Sequence, residues 1–273
     1  MSAEVTRVSP RWLALREPAD GEARARDLAE ALERALPASG SRLIHDLGCG
    51  TGAMGRWLAP LLAGPQHWVV HDRDSDLLAL AAADVPGPAA DGAPVTVEAK
   101  RADIARMDAR DLAGASLITA SALLDLLTAS ELERLAGLCA GAGCPILLTL
   151  SVVGRVEITP VLPLDRRVAA AFDAHQRRAT ERGRLLGPDA VDFAVEAFRR
   201  LGAEVLVRPS PWRLGPARSG LAAEWLSGWV RAACEQESEL ADQGEPYARR
   251  RLEQARAGEL AVTVAHADLL ILP

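Results

Sequence analysis

The chain has 273 residues, 49% of them hydrophobic and 25% charged, with a formal net charge of −6 at pH 7. That balance suits a globular chain with a substantial core, and its acidic sign argues against a nucleic-acid partner. No run approaches the roughly 18 apolar residues of a membrane span, Met1–Val5 holds no apolar leader core, and Cys49, Cys139, Cys144 and Cys234 form no C-x-x-C pair, so the chain reads as cytoplasmic and reduced, without structural zinc.

Residues 12–20 hold a polar and aromatic group, Trp12, Arg16 and Asp20. Asp20 reads as the N-cap of a helix carrying Leu28, Leu32 and Leu36 on one face, stopped by Pro37 and Gly40. Strand one, Arg42–Asp46, leads through a glycine-rich turn to a helix bearing Met54, Leu58 and Leu61. Strand two, His67–His71, ends at Asp72, and a helix from about Asp74 carries Leu77, Leu78 and Ala81. Breakers between Val85 and Pro94 make a loop before strand three, Val95–Glu98, which Arg101-Ala102-Asp103-Ile104 follows. After strand four, Ser116–Ala120, Thr128 and Glu131 form a capping box that opens a helix with Leu132, Leu135 and Cys139 inside. Strand five is Pro145–Leu150.

Beyond strand five the pattern loosens. Leu164–Arg178 reads as a helix with Val168, Phe172 and His175 near one face, and Gly187-Pro188-Asp189 opens another that Gly202 ends. Strand six is Glu204–Arg208. A helical insertion then carries Trp225 and Trp229 at i, i+4 and a charged helix over Glu245–Arg256, before a final strand, His266–Leu272. Strands alternating with helices predict an α/β, doubly wound parallel sheet with its ligand at the strand carboxyl ends. We expect one domain over 1–273, made of a helical cap (1–40), a ligand-binding core (41–150), and a lid with strands six and seven (151–273).

The most informative stretch is Asp46-Leu47-Gly48-Cys49-Gly50-Thr51-Gly52. A buried strand ends in an acid, and a turn nearly free of side chains lets a ligand approach the backbone. The acid points to a ligand bearing positive charge. The chain resembles the class I S-adenosylmethionine (SAM)-dependent methyltransferases over roughly residues 41–150 and the last two strands. Asp46, Gly48, Gly50 and Gly52 fill the family's D/E-x-G-x-G-x-G turn. Asp72, Leu78 and Ala81 match its second strand end and following helix, and Asp103 and Ile104 match the segment after strand three.

The resemblance implies a Rossmann-like fold with a seven-stranded, mostly parallel sheet, an N-terminal helical extension and helical insertions after strands five and six. It also implies a SAM site: Asp46 near the methionine ammonium, Gly48, Cys49, Gly50 and Gly52 in the turn, Asp72 on the ribose hydroxyls beside Arg73, Asp103 near the adenine amino group, Ile104 beside the ring, and Ser121 after strand four. Gly48, Gly50 and Ala53 also satisfy G-x-G-x-x-G/A with Asp72 about 20 residues on, so an NAD(P)-dependent oxidoreductase is the rival. Against it, Asp46 would repel a pyrophosphate, whose natural partner is a helix N-terminus.

Methyl transfer needs mainly alignment, and a general base only when the bound nucleophile carries a proton. Asp125 and His175 are the catalytic candidates. Trp12, Arg16, Asp125, His175, Trp212 and Arg213 are the candidates for the substrate, and His266 reads as structural. No N-P-P-Y motif follows strand four, and no carboxylate cluster marks a metal. The expected partner is a small molecule, with oxygen the first acceptor atom and nitrogen or carbon open. An RNA-modifying enzyme and a non-catalytic subunit of the same fold stay as alternatives, and a homodimer is open.

Overall fold

This computed structural model describes residues 8–273, so Met1–Val5, read above for a leader, lies outside the described residues. Two helices precede the sheet, α1 (Pro10–Ala23) and α2 (Arg26–Ala35). Then come β1 (Arg42–Leu47), α3 (Ala53–Leu58), β2 (Gln66–Asp72), α4 (Ser75–Ala83), β3 (Val95–Arg101), β4 (Leu117–Ser121), α5 (Ala129–Gly141) and β5 (Ile146–Thr159). The second half holds α6 (Asp165–Gln176), a two-stranded hairpin of β6 (Ala179–Thr180) and β7 (Gly183–Arg184), α7 (Ala190–Arg200), β8 (Glu204–Pro209), β9 (Trp212–Leu214), α8 (Ser219–Gln236), α9 (Ala241–Arg256) and β10 (Ala261–Leu272).

The strands hydrogen-bond in the order β3-β2-β1-β4-β5-β10-β8, with β9 beside β10. β1 to β5 pair in parallel, whereas β10 runs antiparallel to β5, β8 and β9. The expected doubly wound sheet is present, with both faces covered because successive residues alternate sides. Ile44, Trp68, Leu147 and Leu270 pack with Leu28 and Leu32 of α2 and Met54 and Leu58 of α3. Their neighbours Leu47, Ile146, Leu148, Leu269 and Ile271 pack on the other face with Leu132 and Leu135 of α5 and Phe198 of α7. A third cluster joins α1, α6, α8 and α9 to the far ends of β5 and β10 through Ile158, Trp212, Val262 and Val264.

Local chemistry sets the element ends. Thr128 and Glu131 close the capping box as read, and Asp74 caps α4 by accepting from the backbone N–H of Asp76. The N-terminus differs from the reading. Asp20 is a buried residue inside α1, and the cap is Ser9, which accepts from Trp12 N–H just ahead of Pro10 at the first helical position. The chain then breaks at Arg24-Ala25, where Ala25 N–H donates to the Asp268 carboxylate at 2.8 Å.

β5 and β10 also run further than read. Val156 and Ile158 alternate with Arg155, Glu157 and Thr159, and Val262 and Val264 alternate with Thr263, so both extensions are strand-like in pattern. Leu150 and Gly154, at φ +56° and +69°, interrupt β5, and β10 answers with register shifts between Val264 and His266 and between Ala267 and Leu269. His266 is therefore interior to the last strand.

Beneath the carboxyl ends of β1 and β2 lies a buried imidazole pair, His45 and His71, with stacked rings and 2.9 Å between Nδ1 and Nε2. Burial holds His45 down to about 4, with His71, Lys100 and His67 adding to the effect and Asp111 opposing it. Burial lowers His71 as well. The unfolded chain, with imidazoles near 6.5, takes up these protons first, so acidification from 6.5 toward 4 penalises the folded state. Relative to His45→Gln, the wild type should lose stability between pH 7 and pH 5, by up to about 1.4 kcal/mol per pH unit. Urea unfolding at both pH values checks this, and a constant difference would contradict it.

Candidate active site

A single cavity of about 790 Å³ opens along the carboxyl ends of β1 to β4 and continues under α1, α6 and α8. That volume falls within the roughly 300–1,000 Å³ common to small-molecule sites. Asp46, Gly48, Cys49, Gly50, Asp72, Arg73, Asp103, Ile104 and Ser121 line it; Gly52 does not, and stands at φ +84° as the entry to α3.

Hydrogen bonds hold the glycine turn tight. Gly48 and Cys49 donate their N–H groups to His71 O, and Gly50 N–H donates to Asp72 Oδ2 at 2.9 Å. Asp72 thus ties the first turn to the second, its Oδ1 accepting from Asp74 N–H at 2.9 Å. Gly48 and Gly50 hold φ +69° and +55°. A Cβ on Gly48 would meet Ile104 and Leu123 at 3.4 Å, and one on Gly50 would stand 3.2 Å from Leu13 Cδ1 of α1. Glu17 of α1 forms a two-point ion pair with Arg56 of α3, both contacts at 2.7 Å, which clamps α1 over the turn. Asp103 accepts from Ala105 N–H at 3.0 Å, and its carboxylate stays half exposed at the cavity edge.

Two charged groups in this cavity are deeply buried and incompletely partnered. Asp46, 1% exposed, accepts from Thr119 Oγ1 at 2.8 Å, but its Oδ2 has no partner. Burial pushes its carboxyl up to about 6, against the pull of Thr119 and Arg24. Arg24, 4% exposed, donates from Nη2 to Ser121 Oγ at 3.2 Å, whereas Nε and Nη1 have no partner. Its guanidinium lies over the Trp57 ring, and burial lowers its pKa against the attraction of Asp20 and Asp268. Arg24 stood in no motif; one arginine in a helical segment carries no sequence signal.

Asp268 holds this corner together. It accepts from Ala25 N–H and Leu150 N–H at 2.8 Å and from Ser210 Oγ at 2.5 Å, joining the α1–α2 break, the bend of β5 and the β8–β9 turn. The Cys49 thiol is pushed up by burial and stays protonated.

At the other end, Trp12, Arg16, Asp125 and Trp212 line the cavity, with His266 and Trp225, while His175 and Arg213 do not. Arg16 and Trp212 both hold Asp20, through Nε at 2.8 Å and Nε1 at 2.9 Å, and the Arg16 guanidinium lies 5.0 Å from the Trp212 ring centre. Two residues on from Asp173, His175 points about 200° away around α6 and sits 3.3 Å from Glu235 of α8. Its neighbours Phe172, Asp173 and Gln176 face the cavity instead. Arg213 is exposed between buried Trp212 and Leu214, on the outward side of β9. Burial pushes Asp125 and Asp173 each up to about 6. Among the described residues, no group of three or more His, Cys, Asp and Glu is placed to hold a metal, and no helix is long and apolar enough to cross a membrane.

No protein-family model matches the sequence, and no curated protein matches it. Solved structures do resemble it. A cyclopropane-fatty-acyl-phospholipid synthase-like protein from Lactobacillus casei is 17% identical, with a TM-score of 0.54 over 95% of this chain and 92% of that one. The cyclopropane synthase MmaA2 from Mycobacterium tuberculosis is 14% identical, with a TM-score of 0.51 over 97% of this chain and 95% of that one. Likeness at such identities speaks for the fold, and with the strand order above it shows that the chain has the Rossmann-like fold of the methyltransferases.

If α1 seals the turn as described, Gly50→Ala forces a Cβ into left-handed backbone and against Leu13, and should destabilise the protein by about 1–2 kcal/mol. Part of that cost should vanish in a Leu13→Ala background. A double-mutant cycle by chemical denaturation measures the coupling, and strict additivity would contradict the contact.

Proposed function

We propose that the protein is a SAM-dependent methyltransferase that acts on a small-molecule acceptor. The observation that carries this reading is the pair of buried, half-partnered charges in one corner of the cavity: a carboxylate oxygen of Asp46 and two nitrogens of Arg24. An unpaired buried charge is costly, by several kcal/mol, so such groups mark the place of a missing partner. The partner that satisfies both is a zwitterion, with an ammonium for Asp46 and a carboxylate for Arg24, and an α-amino acid head has that form. A dinucleotide pyrophosphate would satisfy Arg24 and leave Asp46 repelled.

The other residues fit the rest of the cofactor. Asp72 keeps free lone pairs on both oxygens for the ribose hydroxyls, its position fixed by Gly50 and Asp74. Asp103 can accept from the adenine amino group, and Ile104 and Leu123, which close on Gly48, supply apolar surface for the ring. When bound, SAM supplies a methyl group on a sulfonium, already activated for displacement in line. The protein's part is to hold the acceptor's lone pair opposite that methyl group, to exclude water under α1 and α8, and to take a proton where the acceptor carries one. Asp125, with its carboxyl near 6, is ionised at neutral pH and is our choice for that proton.

Calorimetry with S-adenosylhomocysteine tests the reading. The wild type should bind it and not NAD, and Arg24→Gln should weaken binding by at least about tenfold, the cost of one charge-assisted contact. Because an ammonium requires Asp46 ionised while burial holds its carboxyl near 6, binding below pH 6 must expel a proton. Affinity should then fall from pH 7 to pH 5, and Asp46→Asn should bind weakly at both. Equal affinity of all three proteins would remove the zwitterion from the account.

A further inference from the structure

The far end of the cavity bears on the acceptor, in an inference that rests on the methyl-transfer reading. Aromatic residues make up only 4% of the chain. Yet three of its six tryptophans, Trp12, Trp212 and Trp225, line this cavity together with Phe172. They arrive from four elements, α1, β9, α8 and α6. Trp12 meets Trp212 edge-on at 6.2 Å, and Trp225 stacks at 5.2 Å on Trp229, which backs Phe172 at 6.4 Å. Aromatic faces carry partial negative charge and attract cations.

The charges point the same way. Asp125 and Asp173 open on this cavity and neither forms an ion pair among the described residues, although Arg16 and Arg178 attract the first and Arg177 the second. Of these arginines and their neighbours, Arg177 is paired with Asp189, Arg16 with Asp20 and Arg182 with Glu131, while Arg178 donates to His175 O. His266, 5% exposed, lines the same space with Nδ1 unpartnered, and burial keeps its imidazole neutral, so it adds no charge. One of the two free acids can balance the sulfonium. The other remains for the acceptor, and an anionic acceptor would face it with like charge.

We propose that the acceptor is an amine, held as its ammonium on an apolar or aromatic body, among Trp12, Phe172, Trp212 and Trp225 and matched in charge by Asp125 and Asp173. Nitrogen thus takes the place of the oxygen first expected. For transfer, the ammonium gives one proton to Asp125, which passes it to solvent. The freed nitrogen lone pair forms the new N–C bond as the C–S bond breaks, its electron pair stays on sulfur, and the methylated nitrogen carries the positive charge.

The test titrates a panel of arylalkylamines, their matching alcohols and their matching carboxylates into the full chain saturated with S-adenosylhomocysteine. Amines should bind at least about tenfold more tightly than the alcohols. S-adenosylhomocysteine carries no sulfonium, so both acids face the amine in this test. Asp173→Asn should erase most of that preference while leaving the affinity for S-adenosylhomocysteine within twofold, about the spread expected of a distant contact, and Asp125→Asn should weaken the preference as well. Alcohols or carboxylates binding as well as amines, or an amine preference untouched in both variants, would overturn the proposal with the cofactor reading intact. Failure of the wild type to bind S-adenosylhomocysteine would remove both.

Discussion

The structure turns on the burial of opposite charges that do not complete each other. Asp46 stands one residue before the end of a strand that is buried on both faces, and its one bonded oxygen is held by Thr119 of the neighbouring strand. Arg24 reaches the same cavity from the break between α1 and α2, with only Nη2 bonded. In a closed hydrophobic setting the two would be a liability of several kcal/mol. Set on a cavity, they are what the proposed function uses as a template for a ligand with both signs. The surrounding architecture can be read as what it takes to keep that template in place.

Asp268 is central to that task. A single buried carboxylate collects backbone donors from two distant segments and a hydroxyl from a third, and its charge also steadies Arg24. The bend of β5 at Leu150 brings one of those donors into reach, at the cost of a left-handed residue. Strain of this kind survives where surrounding contacts over-determine it, and it gathers at functional sites. Beyond that bend the extended halves of β5 and β10 stay paired with each other, and β9 joins β10. α1, α6 and α8 pack there and build the aromatic end of the cavity. The proposed cofactor and acceptor ends therefore meet at Asp268 of the last strand.

How much of this is legible in the sequence follows the same division. The proposed cofactor half is local: strand, glycine turn and helix are contiguous, and acids at three successive strand ends fall at the cavity because parallel strands bring their carboxyl ends to one edge. Asp46, Asp72 and Asp103 could be placed without coordinates. The acceptor half is assembled from distant segments. Trp12 meets Trp212 only through the folded sheet, and nothing near Arg24 distinguishes it from the other arginines. His175 lies off the cavity although it shares a rough face with Val168 and Phe172, because a face set by two residues is too coarse to separate residues one and two positions apart. The extra lengths of β5 and β10 did have a signal, the alternation at Val156, Ile158, Val262 and Val264. Gly154 and the charged residues between them masked it.

The most direct measurement is a crystal structure of the protein with S-adenosylhomocysteine. The account predicts the amino acid carboxylate against Nε and Nη1 of Arg24, the ammonium against Oδ2 of Asp46, the ribose on Asp72, and the sulfur facing the space lined by Asp125 and Trp212. A ligand whose amino acid head lies elsewhere, with Arg24 and Asp46 still unpartnered, would contradict it.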